Sequence, residues 1–113
     1  MKSGNYVPER GDIIWLNFTP QRGHEQRGKR PALVLSPKIY NEKTSLCICV
    51  PVTSKIKGYP FEVALPKALE IQGVILSDQI KNMDFRAREA SFICIVSQSV
   101  LEKVQKNVQA LLM

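Results

Sequence analysis

SFICIVSQSVLEKVQKNVQALLM, Ser91–Met113, changes its period at Ser97. Up to Val96 the run is dense in β-branched and aromatic residues and reads as a strand. Beyond Ser97, apolar residues recur at helical spacing: Val100, Leu101, Val104, Val108, Leu111 and Leu112. Glu102, Lys103, Lys106 and Asn107 fall on the other side. Ser97 or Ser99 can cap this helix, and Ser99 with Glu102 fits the S-x-x-E capping box. The apolar stripe reads as core, with a membrane- or partner-binding helix as the alternative.

Everything upstream reads as short strands and turns. DIIWLNF (Asp12–Phe18) is the first strand, and ALVLS (Ala32–Ser36) is an apolar run expected of a strand buried on both faces. Pro37 ends it, and Lys38–Asn41 reads as a turn or a single helical turn. LCICVPVT (Leu46–Thr53) is a third strand, with Pro51 marking an edge, a bulge or an end. KIKGYP (Lys55–Pro60) is a basic turn, and FEVAL (Phe61–Leu65) alternates as a strand. GVILSDQI extends from Gly73 to Ile80, and DFRARE (Asp84–Glu89) can make one helical turn. Five to seven strands and one terminal helix define a mainly β fold with a C-terminal helix, a small curled sheet or barrel. The 113 residues form a single domain, 1–113, with no repeat or linker.

Hydrophobic residues make up 44% of the chain and charged ones 23%, which argues against wholesale disorder. The net charge of +6 favours anionic partners, among them nucleic acid, membrane surfaces and acidic proteins. No apolar run opens the sequence and none approaches the ~20 residues of a membrane span. Cys47 and Cys49 sit two apart in a strand and so share one face as small core side chains, and with Cys94 and His24 they make a poor metal site. A reducing, cytoplasmic compartment is expected.

Between the first two strands lies GHEQRGKRP, Gly23–Pro31. Glycines at 23 and 28 free the backbone, while Pro31 drives Arg30 toward an extended conformation. Glu25, His24, Arg27, Lys29 and Arg30 together suit an anionic, phosphate-bearing ligand; a solvated basic loop is the alternative. Arg30 is the best phosphate clamp, because Pro31 and the buried strand after it fix its backbone. Thr53 and Ser54 end a buried strand beside the basic turn, where hydroxyls and N–H groups can hold a phosphate or bond locally to the backbone. No phosphate loop, nucleophile elbow, zinc motif or dense carboxylate pair is present. Metal-free cleavage of RNA, whose 2′-hydroxyl is a built-in nucleophile, remains open.

The segments ERGDIIWLNF, GHEQRGKRPALVLSP, CVPVTSKIKGYPFEV and GVILSDQIKNMDFRAR, in that order, resemble the MazF/PemK (Kid) family of toxin endoribonucleases from bacterial toxin–antitoxin pairs. The likeness spans nearly the whole chain and is nearest the MazF branch, where KGYPFEV and the C-x-C-V-P strand also occur.

The resemblance implies an SH3-like small β-barrel of the MazF/PemK/CcdB type, working as a homodimer. It implies cofactor-free cleavage of single-stranded mRNA at a short motif, leaving a 2′,3′-cyclic phosphate and a 5′-hydroxyl. By motif position Arg30 is the catalytic arginine, Thr53 the phosphate-contacting threonine and Glu25 the loop acid. His24 matches a histidine at the RNA site of the PemK branch. The implied RNA contacts are His24, Gln26, Arg27, Lys29, Ser54, Lys57 and Gln79; the general base stays open among Glu25, His24 and water. Leu76 stands where the PemK branch has a basic residue, which makes a structural role for Asp78 at least as good as a catalytic one. The partners implied are RNA and an acidic antitoxin with a disordered C-terminal segment, with operator DNA reached only through that antitoxin and no membrane. The same-fold alternative, a CcdB-like gyrase poison, carries a Trp-Gly-Ile ending, whereas this chain ends Leu111–Leu112–Met113. A non-catalytic SH3-like interaction module is the other alternative.

Overall fold

The computed structural model describes residues 5–18 and 28–113. Within them the order is β1 (Asp12–Asn17), β2 (Lys29–Val34), α1 (Lys38–Thr44), β3 (Leu46–Thr53), β4 (Glu62–Ala64), β5 (Val74–Leu76), β6 (Lys81–Asp84), β7 (Ser91–Ile95) and α2 (Gln98–Leu112). These strands form one antiparallel sheet ordered β4-β5-β3-β2-β1-β7, with β6 on the free flank of β3. β4 and β7 are its two ends, so the described strands curl without closing into a ring. Ile13 of β1, Val63 of β4 and Val100, Leu101 and Val104 of α2 share one core cluster, which places α2 inside the curl. The result is the expected mainly β fold with a C-terminal helix, built as an open barrel.

Alternation along the central strands builds two cores. Leu33, Val50 and Val52 face α2, whereas Ala32, Val34, Cys47 and Cys49 face a second cluster with Ile14, Leu16, Met83 and Phe85. The apolar run of β2 is therefore buried on both faces, as its composition requires. Cys47 and Cys49 are fully buried on one face, and their mutual hydrogen bond together with burial pushes the Cys47 thiol pKa up. They act as core packing.

Pro51 sits within β3 without breaking the sheet. The Leu35 N–H donates to the Ile48 carbonyl at 2.8 Å, so the backbone groups of Ile48, Val50 and Val52 face β2 and those of Pro51 face the other flank. On that flank β6 pairs up to Cys49 and β5 begins at Val52. The missing N–H of Pro51 falls in the gap between the two partners.

Four expectations need correction. The turn after Pro37 is a seven-residue helix, because buried Asn41 anchors it: its amide donates to the Pro8 and Ser36 carbonyls at 2.8 and 3.1 Å and its Oδ1 accepts from the Ser36 hydroxyl at 2.6 Å. The strand expected from Gly73 to Ile80 stops at Leu76. There the Gln79 N–H turns back to the Leu76 carbonyl at 3.1 Å, and a separate β6 follows with Met83 as its buried residue. The Ser99–Glu102 box does not form: Ser97 caps α2 by accepting the Val100 N–H at 3.2 Å, and Glu102 accepts from the Gln98 amide instead. The far end of the α2 stripe leaves the core as well, Leu111 and Leu112 being 46% and 71% exposed. No helix among the described residues is long and apolar enough to cross a membrane.

Candidate functional site

The register of the central hairpin assembles the site. β2 and β3 pair Val34 with Cys49, Leu33 with Val50 and Ala32 with Pro51. Continuing that register by two residues brings Arg30 level with Thr53. Both line one cavity of about 360 Å³, together with Pro31, Ser54, Lys55, Glu70, Ile71 and Gln72. Arg30 is exposed there, with the Pro31 ring and the buried residues 32–34 holding its backbone in the sheet.

Thr53 stands where β3 leaves the sheet. Its Oγ1 accepts the Lys55 N–H at 3.1 Å, which shapes the turn and leaves the hydroxyl proton to donate elsewhere. Behind it runs Gly73 with φ +126°, and a Cβ at that position would lie 2.2 Å from the Thr53 carbonyl oxygen. Only glycine permits so close an approach. The rest of the wall comes from the segment between β4 and β5. There Gln72 spends its amide on the carbonyls of Lys67 and Leu69, at 2.9 and 2.8 Å, so it shapes the wall.

A second cavity of about 150 Å³ adjoins the first at Thr53 and Lys55 and is lined also by Lys57, Tyr59, Glu62, Leu76 and Gln79. Its rim is held by Glu62, whose carboxylate accepts the Lys57 and Gly58 N–H groups at 2.9 Å each. Gly58 has φ +84° with open space around it, so the glycine serves the turn itself. The Tyr59 hydroxyl donates to Asp78 at 3.3 Å. Burial, then the Asp78 carboxylate, raise the Tyr59 hydroxyl pKa, so at neutral pH it is a protonated donor.

Of the residues named from the sequence, Arg30, Thr53 and Ser54 meet in the first cavity, and Thr53, Lys57 and Gln79 meet in the second. Lys29 precedes Arg30 on the same strand and points to the opposite face; it lines neither cavity. Glu25, His24, Gln26 and Arg27 lie outside the described residues. Asp78 holds the Tyr59 hydroxyl and is exposed, outside both linings. Phe18 packs against the second core cluster. Sequence reading missed Lys55, Glu70 and Gln72 as wall residues. Glu70 and Gln72 sit in an irregular segment held by the packing of Leu69 and Ile71 on the first core cluster and by the Gly73–Thr53 contact.

Where β1 ends and β2 begins, the backbone is tied down by hydrogen bonds from other segments. The Phe18 N–H donates to the Gly28 carbonyl at 2.9 Å, and Arg88 Nη1 donates to the carbonyls of Asn17 and Phe18 at 2.9 and 2.8 Å. Phe18 and Gly28 are therefore held beside each other at the end of the β1–β2 pair.

Comparison with known proteins agrees with this geometry. Residues 9–112 match the family model described as PemK-like, MazF-like toxin of type II toxin–antitoxin system. The chain is 48% identical over 107 residues to the Escherichia coli K12 endoribonuclease toxin MazF, covering 95% of this chain and 96% of that one. Among solved structures, MazF from Deinococcus radiodurans superposes with a TM-score of 0.87 at 51% identity, covering 96% of this chain and 98% of that one. A MazE–MazF crystal structure from the same organism gives a TM-score of 0.86 at 44% identity over 96% and 97% of the two chains. Matched over residues 9–112 by the family model and over nearly its whole length by these relatives, the chain belongs to the PemK-like, MazF-like toxin family of type II toxin–antitoxin systems.

Proposed function

We propose that this chain is a sequence-specific endoribonuclease toxin that cleaves single-stranded mRNA without a metal ion. The observation that carries the reading is the meeting of Arg30 and Thr53, from two strands, at one cavity. The 2′-oxygen attacks the adjacent phosphorus, the bond from phosphorus to the 5′-oxygen breaks, and the products are a 2′,3′-cyclic phosphate and a 5′-hydroxyl. The proton lost by the 2′-hydroxyl goes to a base, and the leaving 5′-oxygen takes one up.

Arg30 supplies two parallel N–H donors to the phosphoryl oxygens, where negative charge builds in the phosphorane. The Thr53 hydroxyl donates to the same group. Glu25 and His24, on the loop between β1 and β2, are the candidate proton carriers. Ser54 extends the phosphate contacts, while Lys57 and Gln79 line the neighbouring cavity, of a size to take part of a nucleobase. Gln26, Arg27 and Lys29 contribute RNA contacts around the loop.

The active form is a homodimer, and the exposed apolar groove of Leu35, Val108, Leu112 and Met113 is the surface such a dimer would bury. Its inhibitor is a cognate antitoxin with an acidic, disordered C-terminal segment, and operator DNA is reached only through that antitoxin. The net charge of +6 speeds that encounter, so association slows as salt rises. The toxin works in the cytoplasm.

Digestion of a long RNA in the presence of chelator, with every new 5′ end mapped, tests the reading. The expected result is a set of 5′-hydroxyl ends sharing one short motif, absent with Arg30→Ala. Ends bearing 5′-phosphate, or ends unchanged by Arg30→Ala, would overturn it.

A further inference from the structure

We propose that the RNA track continues beyond the cleft onto α2, where Lys103 and Lys106 hold backbone phosphates of nucleotides flanking the cleavage site. This rests on the endoribonuclease reading and adds a binding subsite to it. A third cavity, of about 370 Å³, lies between β4 and α2 and is lined by Glu62, Val63, Ala64, Lys103, Lys106 and Asn107. The first two cavities share Thr53 and Lys55, and the second and third share Glu62. The three concavities thus adjoin one another in order from Arg30 to the helix.

Charge along this path favours a polyanion. Lys55 and Lys57 follow Arg30, and then Lys103 and Lys106 appear three residues apart, which places them on one face of α2. Four acids stand near the path, and one of them, Asp78, has its carboxylate on the Tyr59 hydroxyl. Glu62 has its carboxylate engaged by the Lys57 and Gly58 N–H groups, Glu102 accepts from the Gln98 amide, and Glu70 lies at the far end beside Arg30. The lysines also stand on a fixed support. Asn107 Nδ2 donates to the buried Ser77 hydroxyl at 3.2 Å, docking this turn of α2 on the end of β5. Phosphate contacts of this kind add affinity with no sequence preference.

The test compares wild type with Lys103→Gln/Lys106→Gln on two RNAs that carry a 2′-deoxy nucleotide at a mapped cleavage site. One is trimmed to the few nucleotides around that site and the other extends in both directions. Wild type should bind the longer RNA more tightly, and the double variant should lose that gain. Its slope of log Kd against log salt should be shallower by about 1.4, for two single-strand phosphates. Binding of the short RNA, and cleavage of its all-ribose form, should stay at wild-type values. Equal affinity of variant and wild type for the long RNA would overturn the subsite, and so would an equal loss on both RNAs. Unchanged RNA binding with weakened binding of a poly-glutamate peptide would assign the lysines to an acidic protein and overturn it too. A wild-type protein that cleaves no RNA would overturn the ribonuclease reading itself, and the subsite with it.

Discussion

Gly73 lies so close to Thr53 that a Cβ on it would stand 2.2 Å from the Thr53 carbonyl oxygen. The contact links β5 to the end of β3, where Thr53 pairs with Val74 and the chain turns toward Ser54 and Lys55. A glycine with no chemistry of its own thereby sets the position of the threonine on which both cavities converge.

Gly73→Ala should accordingly act at a distance of one strand. The φ of +126° is strained for any L side chain, and the new methyl must push Thr53 aside. A loss of roughly 1–3 kcal/mol in stability is expected, read from urea unfolding. RNA cleavage by the fraction that remains folded should fall further than with Thr53→Ser, which keeps the hydroxyl and the backbone path.

Arg30 is exposed, so its replacement separates catalysis from folding. Arg30→Lys keeps the charge and loses the two-pronged donor geometry. Cleavage should drop by about 10²-fold, the typical effect of removing one preorganised donor. The melting temperature should match wild type. A variant with full activity would remove Arg30 from the reaction.

Tyr6 provides a pH signature. Its hydroxyl donates to Asp12 Oδ2 at 2.5 Å, and burial together with that carboxylate raises its pKa above the ordinary phenol value. Because the folded value is the higher one, the stabilisation is complete below pH ~10 and is lost as pH climbs from there toward the folded pKa. Wild type should lose melting temperature more steeply above pH 10 than Tyr6→Phe. At neutral pH the variant should be less stable by about 1 kcal/mol for the lost hydrogen bond.

Leu112 is 71% exposed on an apolar groove, so Leu112→Glu should leave the fold of one subunit intact. Light scattering during size exclusion should give a dimer for wild type and a monomer for the variant at micromolar concentration. Dimeric Leu112→Glu would place the subunit contact elsewhere.

Much of this arrangement was legible from residue order. The period change at Ser97 marks strand and helix, and the C-x-C spacing puts two cysteines on one buried face. Arg30 and Thr53 could be named as functional because each borders an apolar run that must be a central strand. Their adjacency could not be read: it depends on the β2–β3 register, fixed by side chains packing on both faces of the sheet. β6 escaped notice because three of its four residues, Lys81, Asn82 and Asp84, are exposed and polar, leaving Met83 as the only apolar mark. Glu70 joins the cavity through long-range contacts, Leu69 and Ile71 on the core and Gly73 on Thr53, which leave no periodic trace in the sequence. The exposed end of α2 was misread for a different reason. Leu111 and Leu112 continue the helical stripe, yet a period cannot say whether the surface they meet belongs to the same chain.

The central claim is that Arg30 and Thr53 catalyse attack by the RNA's own 2′-oxygen. Its most direct test replaces one ribose, on the 5′ side of a mapped cleavage site, with deoxyribose and leaves every other nucleotide unchanged. Binding should persist while cleavage at that bond disappears. Continued cleavage of the deoxy-substituted RNA would contradict the account, because another nucleophile would then be at work.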